Sequence, residues 1–214
     1  MRTAIPRDEA RRTGDVAAAV VQMIGGACGL AALPILVVRA AIAGSTSLIV
    51  AFSLYGASLG YYFTISALFH LLKAPKARRV FAALDEAGDF FLLAGSWTPL
   101  CFSAFGGPLG WALFGTLWGF GFLNLVVVLV TLSRAKNLAL AAYYLGVALA
   151  FPLLPPVRAA LGEGVFYWVA LAGLLYAAGL VFKSREDMPY HHGIWHSFVI
   201  AASICHFFGL LALT

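Results

Sequence analysis

Phe90 to Ser133 reads FFLLAGSWTPLCFSAFGGPLGWALFGTLWGFGFLNLVVVLVTLS, 44 residues without an Asp, Glu, Lys or Arg. One helix of that length would run about 66 Å, roughly twice the hydrocarbon core of a bilayer. Gly106-Gly107-Pro108 divides the run, because two glycines and a proline together do not sustain a helix. Two antiparallel membrane spans follow, over about 84–105 and 109–131. Working outward in both directions gives the same kind of segment. Val16 to Val38 is uncharged over 23 residues, long enough to cross, and Gly44-Ser45-Thr46 reads as a turn before a second span over about 47–72. Beyond Ser133, spans are expected over about 137–154, ending at Pro155-Pro156, then 164–182 and 191–214. The predicted architecture is an all-α membrane protein, a seven-transmembrane helix bundle over 16–214 preceded by a tail over 1–15.

Composition agrees with that count. The 214 residues are 62% apolar and 11% charged, against about 25% charged in an average soluble protein, which excludes a water-soluble globule. The tail before the first span mixes Asp8, Glu9 and Asp15 with arginines, so the segment reads as a retained span rather than a cleaved leader. The net charge of +5 has no basic face to go with it, and nucleic acid is not an expected partner. Topology accounts for it instead. With seven spans, the tail and residues 73–83, 134–137 and 183–187 share a side. They carry Arg2, Arg7, Arg11, Arg12, Lys73, Lys76, Arg78, Arg79, Arg134, Lys136, Lys183 and Arg185, which is 12 of 14 basic residues, leaving Arg39 and Arg158 opposite. The positive-inside rule then makes the N-terminus cytoplasmic and the C-terminus non-cytoplasmic. Seven-helix receptors of the familiar kind have the reverse orientation. A retinal protein would need a lysine deep in the last span, and the last lysine is Lys183.

Ionisable groups at span ends are costly in lipid and call for partners or a role. On the expected topology, His70 with Ser66 one turn before it, then Asp85, Glu86 and Asp89, then His191, His192 and His196 all fall at the cytoplasmic end of three remote spans. His192 and His196 are four apart, on one helix face, and imidazole is a common zinc ligand. Histidines at such a depth can also bond lipid phosphates or loop carbonyls. The HxxxH pair with a third histidine and an aspartate at matching depth favours a metal, one zinc ion held by His70, His192 and His196 with a position left for water. His206 is 10 residues beyond His196, about 15 Å deeper, and is expected to be hydrogen-bonded inside the bundle, as is Asn124 across helices. Asp89 is either a second carboxylate or a cap on the positive end of span three. Cys28, Cys101 and Cys205 form no CxxC. Glycine pairs at 25 and 29, 56 and 60, and 115 and 119 are candidates for close helix contact.

Three motifs now stand in order: Ser66-Ala67-Leu68-Phe69-His70; Leu84-Asp85-Glu86-Ala87-Gly88 leading to Ala94-Gly95-Ser96-Trp97-Thr98-Pro99; and His192-Gly193-Ile194-Trp195-His196 with His206-Phe207. On these the chain resembles the bacterial hemolysin III proteins, which belong with the progestin and adipoQ receptors. The likeness extends from span two to span seven. It implies zinc ligands at His70, His192 and His196, and a serine and an aspartate near the metal at Ser66 and Asp85. The family is also similar to alkaline ceramidases, which hydrolyse a lipid amide, while its bacterial branch is named for a membrane-lytic effect. The expected function is thus a zinc-dependent intramembrane hydrolase of a lipid amide or ester in a bacterial cytoplasmic (inner) membrane, Asp85 and Ser66 being the catalytic pair. A non-catalytic zinc staple in a sensor or homeostasis protein, and a pore, are the alternatives. Helix geometry adds a finer expectation. If span seven is helical from about Pro189, capped by Asp187, His192 lies about 40° from His196 around the axis and His191 about 140° away, so only His192 shares the ion.

Overall fold

A computed structural model describes residues 7–131, 154–185 and 187–214. Among these there are six α-helices and no strand: α1 (Arg7–Ile42), α2 (Thr46–Leu71), α3 (Pro75–Leu100), α4 (Gly107–Thr131), α5 (Pro155–Lys183) and α6 (His191–Leu211). The chain is an integral, multi-pass membrane protein, since α1, α2, α4, α5 and α6 are each long and apolar enough to cross a bilayer. The fifth span expected over 137–154 lies, but for Leu154, outside the described residues, as do Arg134 and Lys136.

Several boundaries differ from the sequence reading, for one physical reason. Hydropathy locates where lipid begins, whereas a helix continues until its backbone is stopped. α1 starts at Arg7, so most of the expected tail over 1–15 is helical; its 36 residues measure about 54 Å, well beyond the hydrocarbon core. α3 starts at Pro75 rather than near 84, with the proline in its first turn, where the missing N–H costs nothing. Its far end widens into a π-helical turn, Cys101–Phe105, that stops at Gly106, where φ is 57° and a side chain would be strained. α5 begins at Pro155 rather than 164, because a kink at Gly162, with φ of 70°, joins a short leading segment to the span. α6 does begin at His191 but is not helical from Pro189. Residues 187–190 turn, and Tyr190 precedes the helix in a left-handed conformation without a side-chain cap, which removes the expected capping role of Asp187.

Consecutive helices α1 to α4 pack side by side, α5 packs on α6, and α6 returns against α1. α3 is the most enclosed: every residue from Ala87 to Leu100 is buried, Trp97 among them. Where α1 meets α2, a side chain at Gly25 would place its Cβ 2.3 Å from the Phe63 ring, so this glycine is needed for the approach; Gly115 and Gly119 face open space instead. On α6, Gly193 sits against the backbone of Ala17 and Ala18, bringing the start of α6 close to α1. The N-terminal parts of α1, α3 and α6 and the C-terminal ends of α2 and α5 thereby meet at one end of the bundle, as the contacts below establish.

Candidate metal centre

Tyr62, Ser66 and His70 recur every fourth residue near the end of α2, so they form one stripe, and all three are buried. His196, one turn into α6, is buried as well, while His192 is half-buried. Across the two helices, His70 Nε2 and His196 Nε2 stand 3.2 Å apart. The His70 and His192 rings are 5.3 Å apart and those of His192 and His196 6.1 Å. One nitrogen from each of His70, His192 and His196 lies within 4.8 Å of the others. The structure therefore assembles the three histidines from the two remote segments singled out in the sequence. His191 is not in the group; it stacks on His192 with ring centres 4.2 Å apart, and its Nδ1 is buried without a partner among the described residues.

The residues that orient these rings come from α1, and neither was singled out in the sequence. Asp15 Oδ1 accepts from His70 Nδ1 at 3.1 Å. The same carboxylate is gripped by Arg78 Nη2 of α3, at 3.1 and 2.9 Å to its two oxygens, and the guanidinium lies over the Phe69 ring at 4.8 Å. Asp15 thus ties α1, α2 and α3 together. Gln22, two turns further along α1 and fully buried, bonds His196 Nδ1 through its amide at 2.8 Å, and the Tyr62 hydroxyl lies 3.1 Å from the same nitrogen. A carboxylate accepting from imidazole, as Asp15 does from His70, is a usual outer arrangement of a metal-binding histidine.

Donor chemistry and spacing fit zinc. Two nitrogens at about 2.05 Å from a tetrahedral ion would be separated by about 3.3 Å, against 3.2 Å for the two Nε2 atoms here. Because a carboxylate can only accept, His70 carries its proton on Nδ1 and turns the Nε2 lone pair inward. A group of three histidines able to hold a metal ion is what the geometry supplies.

Ser66 Oγ lies 3.4 Å from His196 Nε2, on the side toward Asp85 of α3. Asp85 stands at the edge of the cluster rather than among its ligand atoms, and its Oδ1 is buried with no partner among the described residues. A buried acceptor left unpaired costs about 1–3 kcal/mol. Asp89 behaves differently. It lies in the interior of α3, not at its start, so it caps nothing; it is buried and pairs tightly with Lys183, the last residue of α5, which also reaches Glu86 at 3.7 Å. Lys183 is therefore part of the bundle rather than of a connection, and its ammonium sits 5.3 Å from the centre of the Trp195 ring. His206 is buried beside Tyr176, with ring centres 6.2 Å apart, but its Nδ1 bonds nothing among the described residues, and neither does Asn124 Nδ2. All three cysteines are free.

A family model described as "Haemolysin-III related" matches residues 18–207. The chain belongs to the hemolysin III family. Among curated relatives of this hemolysin III protein, "Hemolysin-3" of Bacillus cereus is 30% identical over 92% of this chain and 90% of its own length. The "Hemolysin-3 homolog" of Bacillus subtilis is 30% identical over 92% of each. The human "Monocyte to macrophage differentiation factor" is 26% identical over 73% of this chain and 67% of its own. No solved structure matches.

Proposed function

We propose that this hemolysin III protein is a zinc-dependent hydrolase that cleaves an amide or ester bond of a membrane lipid at the cytoplasmic end of a seven-span bundle. Its N-terminus is inside and its C-terminus outside, in the inner membrane of a bacterium. The observation that carries the reading is a largely buried three-histidine group with Asp85 as an electrostatic neighbour of His70, one of its carboxylate oxygens unpaired among the described residues. A zinc ion held by His70, His192 and His196 would polarise a carbonyl and bring the pKa of water toward about 7. Asp85 Oδ1 takes the proton of the attacking water and returns it to the leaving amine or alcohol as the acyl bond breaks. Ser66 Oγ donates to the carbonyl oxygen as negative charge develops there. Asp15 and Gln22 hold the two buried rings, and Arg78 holds Asp15. A lipid acyl chain remains among apolar helix faces while its polar linkage reaches the histidines.

A non-catalytic staple is the second reading, favoured by one observation: the histidines come from α2 and α6, so an ion between them would tie those helices together. A pore is not supported among the described residues, because their carboxylates and basic groups form no ladder through the apolar interior, where His206 stands as a single buried imidazole. The test is Asp85→Asn, assayed for bound zinc and for release of fatty acid from a panel of lipid amides and esters. Hydrolysis should fall at least about 100-fold with zinc retained. Turnover unchanged in Asp85→Asn removes the hydrolase mechanism, and zinc binding without any turnover by the wild-type protein leaves the staple.

A further inference from the structure

Three hydrogen bonds run in series through the histidine group, and their directions are constrained. Asp15 must accept, so His70 donates from Nδ1 and presents a lone pair at Nε2. The 3.2 Å contact between the two Nε2 atoms then requires His196 to donate from Nε2, leaving His196 Nδ1 as an acceptor. Gln22 meets that need: its Nε2 amide faces His196 Nδ1 at 2.8 Å. The other end of the amide, Oε1, is buried and bonds nothing among the described residues.

A cation between the two Nε2 atoms and a proton between them exclude each other. To present a second lone pair to the ion, His196 must carry its proton on Nδ1, and Nδ1 then needs an acceptor in the place where Gln22 has a donor. Rotating the amide of Gln22 by half a turn puts Oε1 there. Oxygen and nitrogen of an amide are nearly equal in size, and in either orientation one end of this amide faces no partner, so the exchange costs little.

Resting on the metal reading above, we propose that Gln22 is the positioning residue that lets His196 change tautomer, donating to its Nδ1 when no ion is bound and accepting from it when one is. Neither Asp nor Glu could do both, since a carboxylate has no proton to give; nor could an apolar residue. Gln22 is well suited to the task because it lies in α1, which supplies no ligand, and so can turn without moving a ligand. The Tyr62 hydroxyl, at 3.1 Å from the same nitrogen, is the competing partner.

The test uses the full chain in detergent, stripped of metal and titrated with Zn²⁺ against a chromophoric chelator, with the zinc-induced rise in Tm recorded in parallel. Gln22→Met keeps the length and removes both functions, and zinc affinity should fall about 10–100-fold. Gln22→Glu keeps the acceptor and removes the competing donor, so affinity should match or exceed that of wild type. Its zinc-induced Tm rise should exceed that of wild type, because its metal-free form has lost the donor. Tyr62→Phe should change affinity less than Gln22→Met does. Wild-type affinity in Gln22→Met, or equal losses in the Met and Glu variants, overturns the proposal while the metal site stands. A wild-type protein that takes up no zinc overturns the metal reading and the role of Gln22 with it.

Discussion

His191 and His192 are adjacent, both half-buried and in ring contact, yet only His192 belongs to the three-histidine group, so substituting each in turn tests whether that group is a ligand set or a mere cluster of imidazoles. With α6 starting at His191, the angular relation to His196 is that of a regular helix: about 40° for His192 and about 140° for His191. His192 has a nitrogen within 4.8 Å of those of His70 and His196, and His191 does not belong to that group. Removing a residue behind a ligand costs about 10–100-fold in metal affinity. Removing the ligand itself should cost at least the upper figure, about 2.7 kcal/mol. His191→Ala forfeits only the ring contact with His192, about 0.5–1.5 kcal/mol for an aromatic pair, and at most about tenfold in affinity if that contact steadies the ligand.

The assay is zinc stoichiometry by mass spectrometry after desalting, together with a competitive Zn²⁺ titration of both variants. His192→Ala should lose the ion on desalting and His191→Ala should retain about one. Equal losses, or the larger loss in His191→Ala, would refute the assignment and mean that the turn at Tyr190 delivers His191 to the site. Full retention in His192→Ala would mean that a carboxylate such as Asp85 completes the set instead.

Asp15→Ala should weaken zinc binding about 10–100-fold, through loss of the acceptor behind His70, and the same titration reads it. Lys183→Met should destabilise the protein by about 3–5 kcal/mol, because it leaves the Asp89 carboxylate buried without its cation; thermal unfolding in detergent measures this, and the double variant with Asp89→Leu should recover most of the loss. If the loss persists in the double variant, the pair is not its cause. A reporter fused after Thr214 should lie on the non-cytoplasmic side, given 12 basic residues on one set of connections and two on the other; a cytoplasmic signal would reverse the proposed orientation.

The three histidines were legible because two independent sequence signals fall on them. A spacing of four fixes a helix face for His192 and His196, and the distribution of basic residues puts His70 at the same end of the bundle. Ser66 and Asp85 were legible through depth and through likeness to the family. Helix starts were less so: the nine residues from Pro75 to Ala83 are polar enough to read as a connection, yet they contain nothing after the proline that stops a helix. The placing of Lys183 in a connection and the capping alternative for Asp89 fail for the same reason, since a boundary set by hydropathy assigns a charge near it to a loop or a cap, and their pairing depends on how α5 lies against α3. The kink at Gly162 shifted the expected start of α5 in the same direction.

Asp15 and Gln22 show where hydropathy has no resolution. α1 is apolar on nearly every side, so its composition does not mark which side faces protein, and Asp15 counts in such a reading only as one charge of a tail. A different pattern does mark it. Asp15, Ala18, Ala19 and Gln22 follow the i, i+3, i+4, i+7 spacing of one helix face, and Gly25, Gly26 and Gly29 continue it. In a soluble helix such a stripe of small and polar residues would face water. In a helix surrounded by lipid the inference is inverted, because large apolar side chains suit the bilayer and small ones permit close approach of backbones. Ala18 and Ala19 are fully buried, Gly193 of α6 and Phe63 of α2 lie against this stripe, and Val20, Met23, Ile24 and Leu30 on other faces of the helix are exposed. A polar residue on the small-residue stripe of a membrane helix is thus aimed at its neighbours. Since α1 lies between α2 and α6, the neighbours of Asp15 and Gln22 are the two helices that carry the histidines.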